Sequence, residues 1–485
     1  MRRTRPILDR AIIARRSRVA VLASCAVVCC ASIARATPAR TSASTPAWSS
    51  QIAWQTGLQT DTIRAQRSFP GEIALLAKDL STGQRYTFNA ATPMYLASGI
   101  KLLVLAALFR QVEAGEINLD KEVTYAPKDV RDGAPLLNYT RVGAKLSIRT
   151  LAEAMIQRSD NAATDMIIER VGIEAVEQEV KNLDLLNVGR ITTLLDVRRF
   201  VYRGIDRRLT SLSPMDIFEL GVTRPLEARL DRVSEHLGEP AGKFTVADYV
   251  RAFDRYYAQG LNTAPVESMA SFLEKLVAGQ VVSPASSQAM LEIMLGTRTG
   301  RRRIRAGLPL GTALGHKTGT QFRRICDFGV FFMPDQRPIV LVVCVKGGRK
   351  RRAEQIIARL AQRTYFQLTP PSERRRIGPR PVLAASSEEE RGHGRTTVGA
   401  HGNSTRRNGS EEDDDSDVSD DDDDESEEEI SEEELLAPNN RSIQRRGSKG
   451  DRLRSGRRRH QRGRRMRTTP PPTTTTESVT PAPAP

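Results

Sequence analysis

The chain has 485 residues, enough for two or three domains, but its composition is so uneven that only one stretch can bury a core. Its formal net charge is +16, yet from residue 371 onward 21 basic residues nearly balance 24 acidic ones, so the excess lies upstream. The five histidines form no ligand cluster and the five cysteines have no metal-ligand spacing, so no metal or cofactor is expected.

Residues 1–36 read as an export signal. A basic start (Arg2, Arg3, Arg5, Arg10, Arg15, Arg16, Arg18) leads into the apolar Val19 to Ile33 and the small-residue site Ala34-Arg35-Ala36. The apolar part is shorter than the about 20 residues a membrane span needs. Cleavage near Ala36 and a periplasmic or extracellular address are expected. A lipoprotein box at Cys25 is the lesser alternative, because few apolar residues precede it. Cys25, Cys29 and Cys30 would leave with the signal.

Residues 37–47, rich in Thr, Ser, Ala and Pro, read as a flexible leader, and 48–369 as the single folded domain. Gln51 to Arg67 has helical spacing. Gly71 to Ala77 and Arg85 to Phe88 read as paired strands. A helix is expected to open at Ser98 and end near Gly115, with Lys101 to Phe109 apolar on nearly every face after the lysine. Further helices are expected from about Ser147, over Asn161–Val171 and Glu174–Leu183, and over Met269–Val277 and Pro284–Met294. Strands Ile325–Phe332 and Ile339–Val345 and a helix Arg351–Phe366 close the domain. Early strands, central helices and late strands fit an α+β fold, one antiparallel sheet packed against helices beside a helical lobe. If the late strands form a hairpin, Cys326 and Cys344 lie nearly opposite. They are then either a disulfide or two buried thiols.

Residues 370–485 are expected to be a disordered low-complexity tail. Glu411 to Glu434 holds 18 acidic residues among 24, Arg441 to Arg467 is Arg-rich, and the end is Thr/Pro-rich. The Arg-rich block has no interleaved aromatics, so no specific nucleic acid is expected. An anionic envelope polymer, or the neighbouring acidic block, suits it better.

Three short motifs carry chemistry. Ser98-Gly-Ile-Lys101 puts a hydroxyl and an amine on one helical face, near the positive end of the helix dipole. Apolar neighbours desolvate the amine, which favours its use as a base. Ser159-Asp160-Asn161 ends a helical pattern, and Lys317-Thr318-Gly319-Thr320 precedes a strand. Each motif alone is common; all three, in this order, are not.

Together they resemble the penicillin-interacting serine enzymes, and residues 45–370 are similar to a class A β-lactamase-type serine hydrolase. The resemblance implies that Ser98 attacks a carbonyl, Lys101 takes its proton, and Ser159 passes a proton to the leaving nitrogen. It implies that Asn161 holds the substrate's side-chain amide, while Lys317 and Thr318 hold a carboxylate. Gly319 would admit the substrate backbone, and the N–H groups of Ser98 and Thr320 would form an oxyanion hole. The substrate would be a β-lactam or a peptidoglycan stem peptide, and a monomer is expected. Asp160 is expected to fix its turn through backbone hydrogen bonds.

One departure stands out. The family's Glu-x-x-Leu-Asn stretch, which activates the deacylating water, is replaced by Leu195-Asp196-Val197-Arg198-Arg199-Phe200-Val201-Tyr202. Extra length around Arg203 to Ala264 carries Glu219, Glu227 and Glu235, any of which could fold into the cleft. Slow deacylation is therefore expected. The alternatives are a D-alanyl-D-alanine peptidase or a non-catalytic envelope-binding module.

Overall fold

A computed structural model describes residues 47–377. The expected export signal, its cysteines, the leader up to Pro46, and the acidic and Arg-rich blocks lie outside the described residues. Helix α1 (Ala47–Arg67) leads into β1 (Gly71–Asp79) and β2 (Arg85–Phe88). After the helical centre come β7 (Leu314–Gln321), β8 (Arg324–Phe332), β9 (Pro338–Gly347) and α13 (Lys350–Leu368). These strands form one antiparallel sheet in the order β2-β1-β9-β8-β7, the expected α+β arrangement. Short β4 (Glu122–Thr124) and β5 (Lys145–Ser147) pair with each other, and the one-turn α12 (Ile304–Gly307) precedes β7.

Strand alternation divides the sheet's side chains between two cores. Ile73, Leu75 and Ala77 join Leu341 and Val343 under α1 and α13, with Trp54, Leu58, Ile357 and Leu360. Ala74 and Leu76 join Val340, Val342 and Cys344 on the other face, against Leu102, Leu105 and Phe272. Both faces are covered, so β1 and β9 read as nearly continuous apolar runs. Cys326 and Cys344 are direct partners across β8 and β9 and form a disulfide.

On the second face lies α2 (Lys101–Glu113), buried without a break from Lys101 to Phe109. It is surrounded by α3 (Ile148–Gln157), α4 (Asn161–Val171), α5 (Ile173–Asn182), α10 (Val266–Val277) and α11 (Pro284–Leu295). The helix does not open at Ser98 as the sequence suggests. Ala97–Ile100 form a 3₁₀ turn, and the α-helix starts at Lys101. Ala97 takes a left-handed φ of 48°, and a Cβ on Gly99 would come within 2.4 Å of the Phe328 ring. The turn is therefore pressed onto β8, and only a tight backbone fits.

The extra length folds as helices: α6 (Leu194–Ile205), α7 (Pro214–Val222), α8 (Leu226–His236) and α9 (Val246–Tyr257). They enclose two small cores, one aromatic around Phe253 and Tyr256, one aliphatic around Leu209, Ile217 and Val233. The chain then returns through β6 (Thr263–Pro265), which pairs with β3 (Pro93–Tyr95) just ahead of Ser98. The domain also runs further than Thr369. Helix α14 (Pro371–Ile377) follows, held by Arg374 Nε and Nη2 donating to Thr369 O at 2.9 Å and Gln367 O at 2.7 Å. Among the described residues no helix is long and apolar enough to cross a membrane.

Candidate active site

Ser98 is 7% exposed, at the junction of the 3₁₀ turn and α2. Lys101 opens α2 and is fully buried. Its Nζ donates to the backbone oxygen of Ser159, to Ser159 Oγ at 3.1 Å and to Asn161 Oδ1 at 2.8 Å. Lys317, fully buried on β7, donates to the same Ser159 Oγ at 2.8 Å and to Thr318 O at 2.8 Å. A hydroxyl has two acceptor lone pairs and one proton. With an amine on each lone pair, the Ser159 proton is the group left to point towards a substrate.

Ser159 sits in a left-handed turn with φ 59° between α3 and α4. Asp160 holds that turn as expected: Oδ1 accepts from Ala163 N at 2.8 Å, and Oδ2 from Leu136 N and Leu137 N at 3.1 and 2.9 Å. Burial pushes the Asp160 carboxyl above its ordinary range, against the pull of those N–H groups and of Lys101. Asn161 completes the corner, its Nδ2 donating to Asp132 O at 2.8 Å. Its second amide proton remains for a ligand.

The edge strand β7 completes this wall through Lys317, and one row of its backbone groups faces away from the sheet. Thr318 Oγ1 shares a hydrogen bond with Thr299 Oγ1 at 2.8 Å. Gly319 is expected from the sequence to make room for a substrate; the atom that crowds it is instead Leu96 O, 2.2 Å from where a Cβ would stand. Thr320 Oγ1 accepts from Arg303 Nη2. Sequence reasoning missed Arg303, which is indistinguishable in the run Arg301-Arg302-Arg303. It is buried, pairs with Glu354 of α13 at 3.2 Å, and donates to Gly319 O and Cys326 O at 3.2 and 3.1 Å. It braces β7 from behind. His316, also buried, binds Asp327 Oδ1 through Nδ1 at 2.9 Å, and Asp327 Oδ2 accepts from Ile304 N.

Glu219, Glu227 and Glu235 of the inserted region do not enter the cleft. Glu219 is exposed and faces Arg232 at 3.8 Å; Glu227 and Glu235 are exposed on α8. The reason is amphipathicity: Ile217, Leu220, Leu226, Leu230 and Val233 take the inward faces of α7 and α8. Helix α6 sends Arg198 towards the cleft instead, its Nε 2.7 Å from Asp132 Oδ2 and its Nη1 3.4 Å from Gln321 Oε1. Among the described residues no group of His, Cys, Asp or Glu could hold a metal ion.

Two amines thus converge on one serine hydroxyl, and a second serine lies in a tight turn at the head of α2. The model of the beta-lactamase enzyme family matches residues 59–368. The chain belongs to that family. It is a β-lactamase-like serine hydrolase. A beta-lactamase of Streptomyces albus G is 27% identical over 286 residues, covering 57% of this chain and 73% of that protein. Beta-lactamase 3 of Bacillus cereus is 22% identical over 283 residues, covering 58% and 71%. The crystal structure of a beta-lactamase from Xanthomonas campestris pv. campestris has the same fold, with a TM-score of 0.50 at 20% identity over 66% of this chain and all of that one.

Proposed function

We propose that this β-lactamase-like hydrolase opens β-lactam amides through an acyl-enzyme on Ser98 and releases the acyl group slowly. The observation that carries this reading is Ser159 Oγ held between the Lys101 and Lys317 amines. Lys101, which donates three hydrogen bonds as an ammonium, first loses one proton to solvent. The neutral amine then takes the Ser98 proton as Ser98 Oγ bonds to the carbonyl carbon. The N–H groups of Ser98 and Thr320 receive the charge that builds on the carbonyl oxygen. The C–N bond then breaks. Ser159 gives its proton to the departing nitrogen, and the proton on Lys101 replaces it. Lys317 and the Thr318 hydroxyl hold the substrate carboxylate, and the second Asn161 amide proton binds the acyl-side amide.

The slow second step is supported by what α6 presents: Arg198, a cation, where hydrolysis of the ester needs a base to activate water. The same observation favours one other reading, a peptidoglycan D-alanyl-D-alanine peptidase that β-lactams inhibit. The basic-then-apolar start of the chain supports export to the periplasm or beyond, and the Arg-rich block Arg441–Arg467 supports attachment to an anionic envelope polymer. Mass spectrometry after incubation with benzylpenicillin tests the acyl-enzyme. An adduct on Ser98 lasting many minutes is expected. No adduct, with the β-lactam intact, would overturn it, and rapid release of D-alanine from a stem-peptide mimic would move the assignment to the peptidase.

A further inference from the structure

Arg198 is held too deliberately to be a surface cation. Its helix is anchored at the N-terminus by Asp165, which accepts from Leu194 N and Leu195 N at 2.8 and 3.0 Å and pairs with Arg131 at 2.7 Å. The residue after Arg131 is Asp132, the partner of Arg198. One ion pair thus fastens α6 to the loop at 131–132 directly, and a second ties that loop to Asp165 of α4, which holds the α6 N-terminus. Asp132 is fixed in turn by Asn161 on its backbone oxygen and by α7, where a Cβ on Gly221 would come within 2.5 Å of the Asp132 Cβ. From there the Arg198 guanidinium reaches Gln321, at the far end of β7 from Lys317.

Lys317, Gly319 and Gln321 alternate onto one face of β7, so Lys317 and Gln321 stand about 13 Å apart along the strand. Under the reaction proposed above, the substrate's leaving side lies at Lys317, its scissile carbonyl at Thr320, and its acyl side at Gln321. The cleft therefore has a cation at each end. Asp132 occupies Nε of Arg198 at 2.7 Å, whereas the Nη1 contact to the neutral Gln321 is long, at 3.4 Å. A carboxylate arriving there would replace the weaker bond with a charge-assisted one, and the guanidinium fork can serve two carboxylates together. Arg198 is only 18% exposed, so such a contact is formed largely out of water.

We propose that Arg198 is a specificity-determining residue that reads an anionic group on the acyl side of the substrate. This rests on the acyl-enzyme reading. The preferred substrates are then β-lactams or peptides with one carboxylate on the leaving side of the scissile amide and a second on the acyl side.

Benzylpenicillin and α-carboxybenzylpenicillin differ by one acyl-side carboxylate, so the ratio of their second-order rates of Ser98 acylation isolates the contact. The full chain should favour the carboxylated compound. Arg198→Gln should lower the ratio by about tenfold or more, the scale of a hydrogen bond to a charged group. Because Arg198→Gln leaves Asp132 without its cation and can unsettle the fold, Gln321→Glu is the second variant. It keeps Arg198 in place and sets a built-in carboxylate against the substrate's, and it should lower the ratio likewise. Ser98 labelled by both compounds, with an unchanged ratio in a folded Arg198→Gln or in Gln321→Glu, overturns the role of Arg198 and leaves the acyl-enzyme standing. Labelling by neither compound overturns the acyl-enzyme reading, and this inference with it.

Discussion

The two walls of the cleft are built in different ways. The wall carrying Lys101, Ser159 and Lys317 belongs to the main core; these residues are 0, 2 and 0% exposed, and each is tied to another of the three or to backbone. The wall formed by α6 to α9 has an aliphatic core of its own and an aromatic core shared with Tyr95, Ala97 and Phe322 of the first. It meets the first through the β3–β6 pairing, the Tyr95–Tyr256 contact and Arg198–Asp132. Bond-making groups tolerate little displacement and are set in the part of the molecule that can least move. The groups proposed to decide which acyl group enters and how long it stays sit on the inserted helices, outside the main core.

Breaking the first wall should have the largest effect. Ser98→Ala should abolish covalent labelling by a fluorescent penicillin, and Lys101→Ala should slow acylation by about 100-fold or more, the usual worth of a positioned base. Gel fluorescence against time measures both, and persistent labelling of the Ser98 variant would remove the nucleophile from this account.

The second wall is tested by turnover. Benzylpenicillin should give a burst of about one equivalent, followed by hydrolysis slower by about 100- to 10,000-fold than acylation, as expected when a general base is missing. Glu219→Gln, Glu227→Gln and Glu235→Gln combined should leave the slow phase unchanged, since all three side chains face solvent. Burst-free rapid turnover in absorbance traces, lost in the triple variant, would mean the second wall rearranges to supply a carboxylate.

The joint between the walls comes next. Asp165→Asn strips the buried Arg131 of its carboxylate, and losing one partner of a buried pair costs about 3–5 kcal/mol. Urea unfolding should show that loss. Acylation per folded molecule should fall far less than in Lys101→Ala.

The smallest effect is expected far from the cleft, at Glu113 near the end of α2. Ser283 Oγ and Ser286 Oγ donate to its Oε2 at 2.6 Å each and hold its carboxyl below the ordinary range. A lowered value in the folded state means stability that is present at neutral pH and lost as pH falls through it. Glu113→Gln should lower Tm slightly at pH 7, with the gap closing as pH falls through the lowered carboxyl value. A gap that persists in acid would assign the effect to packing instead.

Much of the first wall was legible because its chemistry demands particular residue types at short spacing. Ser98 and Lys101 lie one turn apart, Ser159 and Asn161 flank a helix cap, and Lys317 to Thr320 share a strand. The sheet was legible because strands such as Ile339–Val345 must be apolar on both faces. The second wall was not legible. Arg198 meets Asp132 only through the fold, and nothing in the local pattern of Arg198-Arg199 tells the residue that turns inward from its neighbour. The same holds for Arg303, whose burial follows from the backbone carbonyls it finds and not from its surroundings in sequence. Spacing could place Cys326 opposite Cys344 but could not choose between bond and thiols; the structure joins them as a disulfide.

Gly319 acts as a gauge. A methyl group there would stand 2.2 Å from Leu96 O, so the gap between the edge strand and the nucleophile's turn is as narrow as a hydrogen atom allows. The two amide groups proposed to receive the carbonyl oxygen, on Ser98 and Thr320, ride on those two pieces of backbone. Any side chain at this position, however small, would act as a shim and spread them by roughly an ångström, a displacement that can cost about 100-fold in rate. The spacing of the jaws is thus calibrated by an atom the chain leaves out.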